Sequence, residues 1–313
     1  MQFAKHQSFH IREGWLRKGM RAILKNPRIF LEENASDELG IGKNMVSSLR
    51  YWMQATSLTK EEYQMVDGVK RICQVLTPFG ETIYRFDPYF EEEVTLFAVH
   101  ASLARNMDMA TAWYWLFNLS PQREFDRTSF LTSLGDYIAL HQEKEVAEKS
   151  LEKDFSCILR TYLPAEEDDE THIQRSPESL LECPLSTLGL ITKIDKNKFR
   201  LSPPDIERFD PILILYVLLS QQQQRRPEQV TVNLYDALTE PGNVGRVFNL
   251  DAVLLSELLM RLSSEYDEEF LRLERTAGLD SIVFRNTLTP LSALTIYYER
   301  RGNYEWFEDD FEK

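Results

Sequence analysis

Five polar side chains between positions 43 and 51 have the chemistry of a surface that reads DNA. Lysine and arginine side chains bind phosphates, and asparagine, serine and tyrosine side chains exchange hydrogen bonds with base edges in a major groove. On a helix that advances about 100° per residue, most of this set lies on one side and Arg50 lies on its flank. We predict that the set contacts duplex DNA; its members are Lys43, Asn44, Ser47, Arg50 and Tyr51.

The alternative is an ordinary solvated face, because any amphipathic helix has a polar side and many helix-turn-helix units bind proteins or only pack. The charge distribution along the chain favours DNA contact over an ordinary solvated face. Residues 1–86 hold 13 Lys and Arg against 9 Asp and Glu, a net charge of +4. Residues 87–313 hold the remaining 23 basic against 41 acidic residues, a net charge of −18, so DNA contact is expected only at the N-terminal face.

Two basic residues upstream are candidates for phosphate contacts. Between residues 13 and 24 the apolar side chains recur at helical intervals, which predicts a helix with its basic side chains on the other side. We predict that Arg12 and Lys18 clamp phosphates beside the recognition helix. The spacing of His6 and His10 alone is a weak metal signal, so these two are predicted to be structural.

No pattern in the sequence assigns catalytic residues. Phosphodiester cleavage needs a metal held by carboxylates, or a nucleophile with a charged clamp. The sequence has no HNH-type histidine cluster, no strand-borne Asp followed by Glu-x-Lys, and no Walker-type loop. Carboxylates group at Asp87 with residues 91–93, and again at 308–312, but solvated acidic faces explain both groups more simply.

The DNA-reading residues must be positioned by two helices and a tight turn. Pro27 suits a first helical position, which predicts a first helix over residues 27–39. Gly40 and Gly42 permit the turn before a second helix begins near Lys43. The second helix also carries an apolar stripe that would face the core, formed by Met45, Val46, Leu49, Trp52 and Met53.

Two short apolar segments, 71–77 and 81–86, follow this helix-turn-helix. Either they pair as the strands of a wing, or the second is a short helix that packs back on the first unit; we favour the wing. The aromatic stretch 113–117 has two interpretations, a base-stacking platform or core, and its apolar flanks favour core.

Two further units of the same kind are predicted downstream. The second has a helix capped by Thr128 or Ser129, a helix over 146–162, an acidic loop at 165–170 and a hairpin over 188–202. The third has helices over 211–224 and 251–266 and a hairpin around Gly278, and is expected to serve dimerisation or docking. The sequence thus predicts a mainly α fold with small β-hairpins, arranged as serial winged helix-turn-helix modules in three domains, 1–86, 87–205 and 206–313.

Cysteine usage and hydropathy bear on the compartment. Cys73, Cys157 and Cys183 are odd in number and widely spaced, which predicts core thiols in a reducing cytoplasm. The longest apolar run, 212–219, is too short to cross a bilayer, and no signal-peptide pattern is present. We therefore expect a cytoplasmic protein without a membrane partner.

Two strings near the N-terminus resemble a known bacterial family. One is the pattern F-x-x-H-x-x-F-x-x-R-x-x-W-x-x-K-G over residues 3–19, and the other is LGIGKNMVSSLRYW over residues 39–52. The strings SLEKDF, ECPLSTLGLI and LSALTIYYE extend the likeness over nearly the whole chain. With these strings the chain resembles the SspB-like family of DNA phosphorothioation systems, an uncharacterised-domain family.

The resemblance implies a sequence- or structure-dependent DNA-binding protein of a phosphorothioate modification and anti-phage defence system, acting as a DNA nickase or nicking component. Metal-dependent nicking would use Mg²⁺ or Mn²⁺ as its cofactor. It implies double-stranded DNA, an ATPase, a PAPS-reductase-like protein and a cysteine desulfurase as partners. A homodimer is a further possibility that the sequence leaves open. The alternative is a non-catalytic adaptor that binds the same DNA and recruits an ATPase and a sulfur-transfer enzyme, while another chain cuts.

Overall fold

The computed structural model describes residues 1–141, 145–164, 182–266, 270–276, 279–284 and 288–302. The predicted acidic groups at 165–170 and 308–312, and the turn at Gly278, lie outside these ranges. The fold is mixed α/β with small antiparallel sheets, so the small hairpins are confirmed, whereas a series of winged modules is not confirmed.

The N-terminal helix-turn-helix forms with a shorter first helix than predicted. Helix α1 spans Trp15–Lys25, α2 spans Ala35–Leu39 and α3 spans Lys43–Ala55. The prediction of one helix over 27–39 is wrong, because a 3₁₀ turn at Ile29–Leu31 ends at Glu32, whose extended backbone breaks the helix before α2 begins. Gly40 ends α2 with φ 61°, the left-handed conformation that glycine adopts without strain.

A hairpin follows α3, but one segment earlier than predicted. Strands β1, Thr59–Val66, and β2, Val69–Leu76, pair antiparallel across Asp67 and Gly68, which both have positive φ. The Asp-Gly dipeptide between strand-forming residues was the signal for this turn. The predicted partner strand 81–86 is instead part of helix α4, Pro78–Phe86, so the favoured pairing is wrong; Thr77 caps this helix by accepting from the Gly80 amide at 3.0 Å.

The aromatic stretch lies in the core, as predicted. Helix α5 spans Glu93–Arg105, α6 spans Thr111–Tyr114, and a π-helical turn at Trp115–Leu119 continues it. Trp113, Trp115 and Phe117 are each at most 3% exposed, so they are not available as a base-stacking platform. Cys73, Cys157 and Cys183 are also buried, which confirms them as core thiols.

The central helices and hairpin were predicted at nearly the right places. Helix α7 spans Arg127–His141, α8 spans Glu148–Tyr162, and a 3₁₀ helix spans Pro184–Leu188. The predicted hairpin is confirmed as β4, Ile191–Asp195, and β5, Lys198–Leu201. A short strand that was not predicted, β3 at Glu124–Phe125, pairs with β5 and gives the sheet order β3-β5-β4.

The C-terminal part repeats this combination of helices around a small sheet. Its helices are α9, Ile212–Arg225; α10, Leu234–Thr239; α11, Val244–Val247; α12, Ala252–Glu265; and α13, Pro290–Arg301. The predicted hairpin is confirmed as β7, Leu271–Thr276, and β8, Leu279–Phe284, and β6, Thr231–Asn233, completes the order β6-β8-β7. Among the residues described, no helix is long and apolar enough to cross a membrane.

Long-range contacts join the three parts of the chain. His6 lies against α8, where its Nε2 is 2.8 Å from Asp154 Oδ1, and the Ala4 amide donates to the same oxygen at 2.9 Å. The Tyr298 hydroxyl of α13 is 2.6 Å from the Thr95 hydroxyl of α5. A single hydrophobic cluster runs from Ile11 to Tyr298. The division into domains at residues 86 and 205 stays a prediction.

Candidate nucleic-acid interface

Helix α3 presents the predicted polar and apolar faces for most of its length. Lys43, Asn44 and Ser47 are exposed at its N-terminal half. The stripe predicted to face the core is buried, since Met45, Val46, Leu49, Trp52 and Met53 are each at most 9% exposed. Three groups able to meet phosphates or base edges therefore lie together beside the turn that enters the helix.

The C-terminal half of the same face is bound to the hairpin. Arg50 donates through Nε at 2.9 Å and through Nη2 at 2.6 Å to Glu61 Oε1 in β1. Gln54 Nε2 donates to that oxygen at 3.0 Å. Both members of the ion pair keep about 30% of their side-chain surface exposed. A phosphate that binds Arg50 must compete with Glu61, whereas Lys43 enters no such pair in the described structure.

The position predicted for Tyr51 is wrong. Its side chain is buried at 7% exposure, and its hydroxyl donates to the Met109 carbonyl at 3.1 Å. Burial is the main reason that the pKa of Tyr51 lies well above its usual range, so the phenol stays neutral. Helix α3 is covered on a second side by the chain around residue 109, which periodicity could not reveal, and Tyr51 therefore supports the core and not the DNA-facing surface.

The predicted phosphate clamp Arg12 is also buried, at 7% exposure. Its guanidinium carbon lies 5.6 Å from the ring centre of Phe9 and 5.3 Å from that of Trp15. The Trp15 amide donates to the Arg12 carbonyl at 3.0 Å, so the Arg12 backbone forms the turn that leads into α1, and its mostly buried side chain borders the cleft beside that helix. Its geometry fits a role in placing the start of this helix.

The basic side chains that do project from α1 form one row. Arg17, Arg21 and Lys25 are spaced by four residues and lie on one side, with Lys18 beside them, while Trp15, Leu16, Met20 and Ile23 are buried on the other. Lys18 is exposed, as its predicted role requires, and its Nζ donates to the Leu39 carbonyl at the end of α2 at 3.0 Å. No acid interrupts this helix.

This row lines a cleft of about 1050 Å³. The other walls are the turn after α2, residues 89–91, and residues 182–187, and they carry several carboxylates. Arg17 Nη2 donates to the Tyr89 hydroxyl at 2.9 Å, and its guanidinium carbon lies 3.9 Å from the centre of that ring. Sequence reasoning did not select Arg17, Arg21 or Lys25 as site residues, although their four-residue spacing is readable from the sequence.

The carboxylate group at Asp87 is used inside the fold. Asp87 accepts from the Glu91 and Glu92 amides at 2.9 and 3.0 Å. Glu92 accepts from the Tyr297 hydroxyl at 2.7 Å, and Glu93 pairs with Arg208. The described residues contain no group of three His, Cys, Asp or Glu side chains placed to hold a metal ion. Asp87, Glu92 and Glu93 are thus bound within the fold, whereas Glu91 is exposed, so the predicted solvated face is wrong for Asp87 and correct for Glu91.

Comparison with known proteins places this geometry in a family. The family model described as "Protein of unknown function (DUF4007)" matches residues 3–298. A crystal structure of SspB superposes with a TM-score of 0.82 at 27% identity, covering 97% of this chain and 88% of that one. A magnesium ion-bound SspB crystal structure gives a TM-score of 0.83 with the same identity and coverage. No curated protein sequence matches the chain.

Proposed function

The chain belongs to the DUF4007 family and is an SspB-like protein, and on that premise we propose that it binds double-stranded DNA in a bacterial DNA phosphorothioation system and is the nicking component there. One observation carries the DNA-binding part of this proposal. The exposed Lys43, Asn44 and Ser47 at the start of α3 lie beside the turn from α2, and Lys18 of the basic row on α1 donates to that same turn at Leu39. A helix start with this chemistry next to a cationic helix suits a major groove and its flanking phosphates.

The order of elements supports a winged helix-turn-helix for residues 1–86. Helix α1 packs on α3, α2 leads into α3 through a turn of three residues, and a hairpin follows directly. In this arrangement α3 is the recognition helix and the hairpin is the wing. We assign DNA contact to Lys18, Lys43, Asn44 and Ser47, and give Arg50 a conditional contact that requires its release from Glu61.

A metal-dependent nicking site needs ligands that the described carboxylates do not supply. The SspB structure with bound magnesium raises that ion as a cofactor. Magnesium is held by one or two carboxylates together with water and substrate phosphates. The carboxylates near Asp87 do not fit this role, because backbone amides, Tyr297 and Arg208 already occupy them. We therefore derive no catalytic step from the described residues and name no catalytic residue.

That lack of fit favours a second candidate function, a non-catalytic adaptor. In that case the same helices bind the duplex, and residues 87–313, whose net charge is −18, form the surface for an ATPase and a sulfur-transfer enzyme. A PAPS-reductase-like protein and a cysteine desulfurase are the partners proposed for sulfur transfer. We also propose that the protein is cytoplasmic, that it divides into the three domains 1–86, 87–205 and 206–313, and that it forms a homodimer.

Incubation of the purified full chain with supercoiled plasmid tests both candidates. The plasmid is supplied with Mg²⁺ or Mn²⁺, with and without EDTA, and strand cleavage is followed as relaxed circles, while fluorescence anisotropy of a labelled duplex follows binding. Chelator-sensitive relaxation supports the nickase. Binding that survives EDTA without relaxation supports the adaptor, and a chain that binds no duplex at low salt overturns the proposal.

A further inference from the structure

The outer part of the β1–β2 hairpin exposes apolar side chains that the core does not use. The outer part comprises residues 63–72. Tyr63 is 64% exposed, Met65 is 68% exposed and Val69 is 53% exposed, whereas Thr59 and Leu76 at the base of the hairpin are buried. Exposed apolar groups at the end of a projecting hairpin are costly to hydrate, which indicates that a partner surface covers them.

Two of these side chains lie on the same face of the hairpin as α3. Side chains two apart on a strand share a face, so Tyr63 and Met65 share the face of Glu61, which contacts Arg50 and Gln54 of α3. Val69 pairs with Val66 across the turn and therefore lies on the opposite face. Tyr63 and Met65 thus extend the surface of α3, and Val69 does not.

The reach of the hairpin is comparable to the width of a DNA groove. Met65 is four residues beyond Glu61 along the strand, which places it about 13 Å from the contact with α3. A major groove is about 12 Å wide and the next minor groove is about 6 Å wide. With α3 in a major groove, a hairpin of this length is long enough to carry Met65 past the adjoining sugar-phosphate ridge.

The charges around the outer part are compatible with DNA. Glu62 is 3.2 Å from Lys60, and Glu61 is held by Arg50, so neither glutamate is unpaired. Beyond them, Lys70 and Arg71 outnumber the single acid, Asp67. Lys70 lies opposite Met65, and its Nζ is 4.8 Å from the centre of the Tyr63 ring. Lys70 therefore lies on the face of Met65 and can bind phosphates of the ridge, whereas Arg71, which pairs with Gln64, lies on the opposite face.

We propose that Met65, supported by Tyr63, is a wedge that enters the minor groove beside the site of α3 and partly unstacks one base-pair step. Apolar side chains such as methionine act in this way in minor-groove proteins, where the cost of unstacking is offset by contacts of the bent or untwisted duplex. The inference rests on the proposed DNA-binding function and adds a deformation of the duplex to it. A locally untwisted step is also easier to open for modification of one strand.

Closure of a nicked plasmid by DNA ligase in the presence of the full chain tests this proposal. Untwisting while the circle is open lowers the linking number of the closed product, and the topoisomers are resolved on a chloroquine gel after the protein is removed. This readout requires no knowledge of the recognised sequence. Anisotropy with a labelled duplex is measured in parallel, so that the variants are compared at equal occupancy.

The variants are Met65→Ala, Tyr63→Ala and the matched control Val69→Ala, all at exposed positions of one hairpin. We expect the unchanged chain and Val69→Ala to lower the linking number equally, and Met65→Ala to lose more than about half of that change at equal occupancy. If the unchanged chain binds no duplex, the proposed function fails. If it binds without a topological change, or if Met65→Ala behaves like Val69→Ala, DNA binding stands and the wedge is refuted.

Discussion

Acidification should destabilise the fold through His100, a buried histidine that the interior holds in its neutral form. His100 lies on α5 and is inaccessible to solvent. Its Nε2 is 2.9 Å from the Val247 carbonyl, which can only accept, so Nε2 carries the proton. Its Nδ1 is 2.7 Å from the Tyr162 hydroxyl and therefore accepts from it. Protonation of Nδ1 would remove the acceptor of the Tyr162 hydroxyl, force that bond to reverse, and place a charge where no described carboxylate compensates it.

Burial lowers the pKa of His100 from 6.5 to about 4, against a smaller opposing effect of the Val247 carbonyl. Because the folded pKa is the lower one, the unfolded chain binds the proton first. The stabilisation is complete above pH 6.5 and is lost as the pH falls toward 4. At about 1.4 kcal/mol for each pKa unit, His100 removes about 3 kcal/mol from the free energy of unfolding over this interval.

Urea unfolding of the unchanged chain and of His100→Gln, followed at several values between pH 7.5 and 4.5, measures this loss. Glutamine retains a donor and an acceptor but does not titrate. The free energy of unfolding of His100→Gln should therefore fall with acid by about 3 kcal/mol less than that of the unchanged chain. The exposed His141, changed to Gln, is the matched control and should follow the unchanged chain. Parallel pH dependences for the unchanged chain and His100→Gln would refute the reasoning.

Three further predictions concern α3. Lys43→Ala should weaken duplex binding and reduce the slope of log K against log salt by about one. Arg50→Ala should change that slope less, because Glu61 already holds the Arg50 side chain. Equal slopes for Lys43→Ala and the unchanged chain in a salt titration would remove the recognition-helix assignment. Glu61→Gln should tighten binding by freeing Arg50, and unchanged or weaker binding in the same titration would exclude a latent phosphate contact there. Trp52→Ala should cost about 3–5 kcal/mol, measured by urea unfolding, because the side chain is fully buried; a loss below about 1 kcal/mol would contradict its place in the core.

Periodicity predicted the features that depend on one element at a time. The buried stripe of α3, the helix at 211–224 and the hairpin that became β4 and β5 each follow from spacing within a short segment. The β1–β2 hairpin was also readable locally, from the Asp-Gly turn at 67 and 68, but the adjacent apolar segment 81–86 was paired instead. That segment is helical because Thr77 and Pro78 supply a cap and a first helical residue.

Features that depend on contacts distant in sequence could not be predicted in this way. Tyr51 is buried, and its hydroxyl donates to the carbonyl of Met109, which lies 58 residues away in the sequence. His6 was correctly expected to be structural, but its carboxylate partner Asp154 is 148 residues away, and no local pattern marks that pair. Arg12 has the charge of a phosphate clamp, but only 7% of its surface is exposed. A charged residue type thus indicates what a side chain can bind, and only the packing decides whether a ligand can reach it.

Glu61 connects the two parts of the proposed interface, and this link constrains how DNA could bind. One carboxylate oxygen holds Arg50 and Gln54 of α3, and the same strand carries Tyr63 and Met65 toward the tip. Pairing with Glu61 cancels the charge of Arg50 in the free protein, while a phosphate that recruits Arg50 removes a restraint on the base of the hairpin. Groove recognition by α3 and the position of the hairpin are therefore coupled through one exchangeable ion pair. A duplex that binds only at Lys43 would leave the hairpin in place, whereas one that also engages Arg50 would allow the wing to move.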